Sequence, residues 1–421
     1  MSPESDVAVS FRKDYGPARE ADMEIYMSDM TMTGNSTSKN TQADTVSAKP
    51  SRSGRMANLE LLRCIAMMMV VVLHFLGKGD LLPALDSRNM EAVGYAAWLL
   101  ESFCIVAVNV YMMISGYFLC TSSFKLSRLV SLWLQIEFYS IIFGLTGALS
   151  GILTKTPFDT HYILTLIFPV SMDHYWFLTA YIFLYLLLPF IGKAVKQMSR
   201  QQLQWSVILL FSVFCLPKSI LPLRLETDQM GYDCIWYLCV FLAAAYMRRF
   251  GVPFLERKGR GLCLYVICCL AVFAGTMGLR AVYLKTGSLG LMLKMFLEYN
   301  HLFPFLAAAG LFAAFKTLRV PDRAAALVTR ISPYTLGVYL LHENIGFRYS
   351  WQRWFGAAEA ASVWSLLCRT LSAVIVIFCC GILIDMLRNA LTRCLHHLLG
   401  RTRIYTRIVE KIYRIDVIFR S

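Results

Sequence analysis

Long apolar stretches separated by short polar, basic segments dominate this chain from residue 59 to residue 386. A membrane-crossing helix needs about 20 mainly apolar residues. On that criterion the pattern predicts ten spans, near 59–79, 93–119, 129–150, 175–195, 203–221, 233–248, 261–280, 295–315, 331–347 and 363–386. The fifth, sixth and ninth are short or interrupted, and Pro217 falls at the end of the fifth. The predicted fold is an all-α integral membrane bundle of about ten transmembrane helices.

Outside this block the pattern changes twice. Residues 1–54 are polar, rich in Ser, Thr, Asp and Lys, with no apolar run. Such a segment buries too little surface to fold alone, and a disordered tail is expected. No apolar signal-peptide core precedes the first span, which is expected to serve as a signal anchor. The transmembrane domain is set at 55–390. Residues 391–421 are basic with interspersed Ile, Tyr, Val and Phe, and RIYTRIVEKIYRIDVIF reads as an amphipathic helix. Two settings fit it: an anionic inner leaflet, or the loops of the bundle.

Charge orients the bundle. The two tails and the even-numbered loops carry roughly three times as many Lys and Arg as the odd-numbered loops. Positive residues stay on the cytoplasmic side, so both termini are expected in the cytoplasm and the protein in the cytoplasmic membrane as a multi-pass chain. Topology therefore accounts for most of the net charge of +14. The basic residues sit dispersed at helix ends, so a nucleic-acid partner is not expected. Composition agrees with a membrane setting: 57% of residues are hydrophobic and 16% charged. The 13 cysteines form neither a zinc nor a disulfide pattern, and most fall inside spans as small hydrophobes. No metal site is expected.

Against this apolar background, polar residues inside spans stand out. The first span, LELLRCIAMMMVVVLHF, holds Arg63 and His74. Eleven positions are close to three helical turns, so both project from one face, roughly 16 Å apart along the axis. Glu60, Met67 and Val70 lie near that face. An intramembrane arginine is costly and normally functional, and histidine is the side chain suited to proton transfer near neutral pH. Alone, Arg63 reads as a helix anchor and His74 as a packing histidine; with Glu60 on a shared face they point to a polar cavity. Further polar groups are Asn109, Ser115, Gly116 and Tyr117 in the second span, with a Ser-Gly pair suited to close packing or a kink. Asp173, His174 and Trp176 open the fourth span. Glu298, Asn300 and His301 lie in the eighth, His342, Glu343 and Arg348 in the ninth, and Glu137 and Asp385 stand as isolated acids in the third and tenth. Several fall near outer span ends, where they would line an outward site or simply mark the interface.

Four of these places, in order, resemble the acyltransferase 3 family: Arg63-x10-His74, ISGYFL at 114–119, HYWFLTAYIFLYLLLPF at 174–190, and SPYTLGVYLLH at 332–342. The chain departs from that family at Glu60, where many members carry aspartate, and in AAAYMRRF, which lacks a glycine many carry. The resemblance implies a membrane O-acyltransferase that moves an acyl group, usually acetyl, from cytoplasmic acyl-CoA to a hydroxyl of a cell-surface or lipid-linked carbohydrate. It implies acetyl-CoA as co-substrate and no permanently bound cofactor. Arg63 would hold a CoA phosphate by charge-assisted bonds, Glu60 would orient Arg63, and His74 would act as general base or transient acyl carrier. Ser115, Tyr117, His174, Trp176 and His342 would hold the sugar. The competing reading is a transporter or flippase for a carbohydrate or lipid-linked precursor, weakened by the absence of a clear internal repeat. A third is a sensor or scaffold with structural charges.

Overall fold

The computed structural model describes residues 56–152, 156–221 and 229–419, and contains no strand among them. The expected N-terminal tail, 1–54, lies outside the described residues. The α-helices are α1 Ala57–Lys78, α2 Ala92–Cys104, α3 Ala107–Leu119, α4 Leu126–Leu149, α5 Thr160–Ile167, α6 Trp176–Gln197, α7 Arg200–Phe214, α8 Leu216–Ile220, α9 Cys234–Phe250, α10 Pro253–Glu256, α11 Arg260–Thr286, α12 Leu302–Lys316, α13 Asp322–Ile331, α14 Thr335–His342, α15 Val363–Leu399 and α16 Arg403–Ile418.

Among the described residues, seven helical segments are long and apolar enough to cross a membrane: α1, α2 with α3, α4, α6, α11, α13 with α14, and α15. The expected fifth, sixth and eighth spans fall on shorter helices. The fifth divides at Cys215 into α7 and α8, the sixth is the 17-residue α9, and the eighth is the 15-residue α12 preceded by short 3-10 turns. The expected ninth span, 331–347, shifts N-terminally. Helical structure runs from Asp322 to His342 and stops there, because Asn344 turns the chain by accepting a bond from the Gly346 N–H at 2.9 Å.

The described residues fall into two compact units. The larger comprises Ala57–Ser123 and Ile136–Ile382. At its centre α1 packs against α2, α3, α12, α13 and α14. Leu62, Ala66, Val71, Phe75 and Leu76 of α1 are fully buried. By contrast α11 leaves Leu262, Ile267 and Leu270 exposed, as expected where lipid rather than protein covers a helix. Small residues set the closest approaches, the membrane substitute for a hydrophobic driving force between helices. A Cβ on Gly261 would lie 2.6 Å from the Gly310 carbonyl, and one on Gly116 would lie 2.9 Å from Phe241 Cα. The Ser115-Gly116 pair therefore seats α3 on α9. Asn109, fully buried at the α2–α3 break, donates to the Tyr299 carbonyl at 2.8 Å and accepts from Trp236 Nε1 at 2.9 Å.

The smaller unit includes Phe124–Gln135 and Leu383–Ser421. Asp385, isolated in sequence, is paired in space. Its Oδ1 receives Arg388 Nε at 2.6 Å and Gln135 Nε2 at 2.9 Å, so the buried acid is neutralised and hydrogen-bonded.

Candidate active site

The end of α1, the end of α14, the turn after α14 and the residues preceding α6 bring a set of charged and imidazole groups together. His74 Nδ1 lies 2.9 Å from His342 Nε2 and 3.3 Å from Glu343 Oε1. Glu343 is ion-paired with Lys78 through the same oxygen and with Arg348 Nη2 at 3.2 Å through Oε2. Arg348 Nη1 reaches His174 Nδ1 at 3.5 Å. His342 and Glu343 are buried and adjacent in sequence, at the point where α14 stops. Lys78 follows His74 by one helical turn, so both side chains leave the same face of α1.

The hydrogen bonds fix the direction of the imidazole relay. His342 Nδ1 lies 2.6 Å from the Val338 carbonyl. A carbonyl only accepts, so Nδ1 carries the proton and Nε2 of neutral His342 is left as an acceptor. His74 Nδ1 then donates to His342 Nε2, with Glu343 Oε1 as a second acceptor for the same proton. This leaves the His74 Nε2 lone pair as the free basic position. A proton arriving there makes an imidazolium whose Nδ1–H already faces the Glu343 carboxylate, the orienting-acid logic of catalytic triads.

Several polar atoms at this place are buried without a partner among the described residues: His174 Nε2, Arg348 Nε and Gln352 Oε1. Buried polar groups are normally satisfied, so unsatisfied ones mark strain, an unrecorded water or a ligand position. Gln352 is held by its other end, donating through Nε2 to the His74 and Arg348 carbonyls at 3.3 and 2.9 Å. Burial, reinforced by the Arg348 guanidinium, pushes the pKa of His174 down to about 3. His174 is therefore neutral, accepts from Arg348 through Nδ1, and carries its proton on the unpartnered Nε2. Below the cluster, Asn344 Nδ2 donates to the Tyr139 carbonyl and the Tyr175 hydroxyl at 2.8 and 3.2 Å, and Tyr175 donates to the Leu340 carbonyl at 3.0 Å. This support fixes the turn that carries Glu343.

His74, His342 and Glu343 place three ligating atoms within 4.8 Å of one another, a spacing a metal ion would accept. The surrounding charge opposes one. Lys78 and Arg348 already neutralise the carboxylate, and a divalent ion there would face two cations at contact range.

The other sequence-derived candidates lie elsewhere. Arg63 Nη1 is 2.9 Å from Glu60 Oε2, and Tyr111 donates to the Arg63 carbonyl at 2.8 Å. Ten residues of helix separate Arg63 from His74, and buried Met67 and Val70 lie between them. Tyr117 accepts from Arg248 Nη1 at 3.0 Å, and the Lys316 ammonium sits 6.0 Å from its ring. Ser115 is beside the Tyr237 hydroxyl. Trp176 packs on Tyr299 and Tyr232, with centroids 5.7 and 4.5 Å away. Of the sugar-contact candidates, His174 and His342 join the His74 cluster, whereas Tyr117 and Trp176 have partners of their own and Ser115 lies on α3 beside Tyr237. Sequence reasoning singled out Glu343 and Arg348 without assigning them to this site. It missed Lys78, although the His74-plus-four spacing places Lys78 on the same face.

A family model described as an acyltransferase domain matches residues 56–386. The chain belongs to the acyltransferase 3 family. The match takes in the whole His74 cluster and the Glu60–Arg63 pair, so every residue of the candidate site lies within the acyltransferase domain. No curated protein and no solved structure matches the chain. The charged network is thus a feature of a membrane acyltransferase, and its roles follow from its own geometry.

Proposed function

We propose that this acyltransferase moves an acyl group, acetyl foremost, from cytoplasmic acyl-CoA to a hydroxyl of a cell-surface or lipid-linked carbohydrate, as a multi-pass protein of the cytoplasmic membrane with both termini in the cytoplasm. The observation that carries this reading is the oriented His74–His342–Glu343 relay beside unpartnered donors. His74 Nε2 removes the proton of the acceptor hydroxyl as its oxygen attacks the thioester carbonyl. The new C–O bond forms, the tetrahedral oxyanion collapses, the C–S bond breaks, and the departing CoA sulfur takes the proton back from His74. Charge on the oxyanion is met by the His174 Nε2–H and the Arg348 Nε–H, polar donors aimed where negative charge develops. Glu343 stabilises the transient His74 imidazolium. Arg63, held by Glu60, binds a phosphate of CoA in a bidentate or charge-assisted contact. The roughly 16 Å rise from Arg63 to His74 suits an extended pantetheine arm.

The test is transfer of radiolabelled acetyl-CoA by the full chain in nanodiscs, with a cell-envelope carbohydrate extract as acceptor. His74→Ala should abolish turnover while the size-exclusion profile is kept, and Arg63→Ala should raise the KM for acetyl-CoA more than it lowers kcat. Full turnover in His74→Ala would remove the proposed base. Export of a labelled carbohydrate without thioester cleavage would favour a transporter.

A further inference from the structure

The C-terminal helix α16 is held along one side and bare along another. Tyr405 is hydrogen-bonded to His396 of α15. Asp416, fully buried, accepts from the Ser127 hydroxyl at 2.6 Å and the Ser127 N–H at 3.3 Å, capping the start of α4. Phe419 meets Phe124 edge-on at 4.9 Å. Tyr405, Val409, Ile412 and Asp416 share this attached face at helical spacing.

At 100° per residue, Ile404, Ile408, Ile415 and Ile418 fall within an arc of roughly 80° beside that face. Ile404 is 74% exposed, Ile418 67% and Ile408 51%, whereas Ile415 is partly covered at 37%. Arg403, Arg407 and Arg414 form the next arc, on the side away from the attachment, and Lys411 falls between Ile418 and Ile404 within the isoleucine arc. α16 carries these four basic residues and two acids, of which Asp416 is buried in the α4 cap. The preceding helix supplies the continuation. α15 is 37 residues long, or about 55 Å, against a hydrocarbon core of about 30 Å. Its exposed leucines, Leu383, Leu387, Leu391, Leu395 and Leu398, form one stripe down to the turn before α16. Exposed apolar residues thus run along α15 to the Gly400–Thr402 turn and recur on α16.

We infer that α16 is an in-plane membrane helix that docks on anionic phospholipid headgroups. Its isoleucine stripe enters the acyl boundary, Arg403, Arg407 and Lys411 reach the phosphates, and the Asp416 cap and the Tyr405–His396 bond hold the helix in that rotation. An amphipathic helix with a narrow apolar stripe and a basic flank is the chemistry such a surface recognises. The family match ends at residue 386, so this surface lies outside the acyltransferase domain and does not depend on the reaction proposed above.

Hydrogen exchange of the full chain tests this, in nanodiscs of phosphatidylcholine alone and of phosphatidylcholine with phosphatidylglycerol. Each basic residue near an anionic surface contributes roughly a five-fold gain in affinity. Exchange across 403–418 should slow by on the order of ten-fold or more in the anionic discs, and raised salt should reverse the slowing. The combined Arg403→Gln, Arg407→Gln, Lys411→Gln and Arg414→Gln variant should exchange alike in both lipids, with α1 and α14 unchanged. Replacing Ile404, Ile408 and Ile418 by Ser should raise exchange in both discs while leaving the Asp416 cap intact. Equal exchange of wild type in the two lipids would overturn the proposal. So would protection that tracks the number of chains per disc, which would make the stripe a contact between copies, or protection that appears only with added soluble extract, which would make it a protein-docking face.

Discussion

Replacing Glu343 by Gln isolates the charge of the relay from its shape. Gln retains the side-chain volume, and its single amide oxygen can still accept from one of Lys78 and Arg348, which meet different oxygens of Glu343. What it loses is the negative charge 3.3 Å from His74 Nδ1. At an effective dielectric of about 20, two unit charges at that separation interact by about 5 kcal/mol. Residual hydrogen bonding by the amide and relaxation of Lys78 recover part of this. The uncovered cations Lys78 and Arg348 act in the other direction, because they now oppose the imidazolium. A net loss of about 3–4 kcal/mol in the transition state corresponds to a fall of two to three decades in turnover. The assay is single-turnover acyl transfer in nanodiscs at saturating acetyl-CoA, with donor affinity measured separately by isothermal titration. Affinity for CoA should hold within a few-fold, because Arg63 lies about three helical turns away. Glu343→Asp should recover part of the rate, since the charge returns at a longer reach. A folded Glu343→Gln protein that turns over within three-fold of wild type would refute the electrostatic role, and leave Glu343 as a packing and capping residue of the turn after α14.

Two further outcomes follow from other parts of the structure. His174 has its pKa pushed down to about 3 in the folded protein, from an ordinary 6.5. Between those values the unfolded chain binds the proton and the folded one does not, so stability falls as pH drops from about 6.5 toward 3; His174→Gln should flatten that acid limb in a thermal size-exclusion assay, and an unchanged limb would discount His174 as its source. Gly116→Ile should lower the melting temperature in the same assay by a loss of about 1–3 kcal/mol, because its Cβ would press on the Phe241 backbone at 2.9 Å; wild-type stability there would show that α3 and α9 can separate without cost.

What could be read ahead of the structure follows from what each signal depends on. Arg63, His74 and Glu60 are on one continuous helix, so spacing alone places them on a common face, and the Glu60–Arg63 contact of 2.9 Å is a local i,i+3 pair. The partner of His74 is a different problem. His342 is 268 residues away, and nothing in either segment's periodicity says that the end of α14 adjoins the end of α1. The family resemblance carried His342 onto the list of functional residues, but as a sugar contact rather than as the acceptor of the His74 proton. The four-residue spacing from His74 places Lys78 on the same face, but a lysine at the end of a membrane helix also has an ordinary interfacial role, so spacing alone does not distinguish the two. The span boundaries failed for a similar reason. Apolar composition continues past Cys215 and past His342, whereas the backbone breaks at Cys215 and turns at Asn344, where hydrogen bonds rather than hydropathy decide the ending.

The arrangement of charge around His74 also explains why a membrane-embedded site retains so many ions. One carboxylate answers two cations, so the cluster carries an excess positive charge while Glu343 remains ionised. A neutral His74 leaves that excess uncompensated, and an oxyanion arriving beside Arg348 would supply the missing negative charge. In the proposed reaction the site would be better matched to the charged intermediate than to a neutral thioester and hydroxyl, which is the differential binding that accelerates a reaction. Lys78 and Arg348 differ in this respect. Lys78 is spent on the same Glu343 oxygen that faces His74, whereas Arg348 contacts Glu343, reaches His174 and keeps its Nε unpartnered. Planar guanidinium geometry allows all three directions at once, and an ammonium cannot reproduce it. In the proposed mechanism Arg348, rather than Lys78, is therefore the cation that joins the carboxylate orienting the base to the donors that receive the oxyanion.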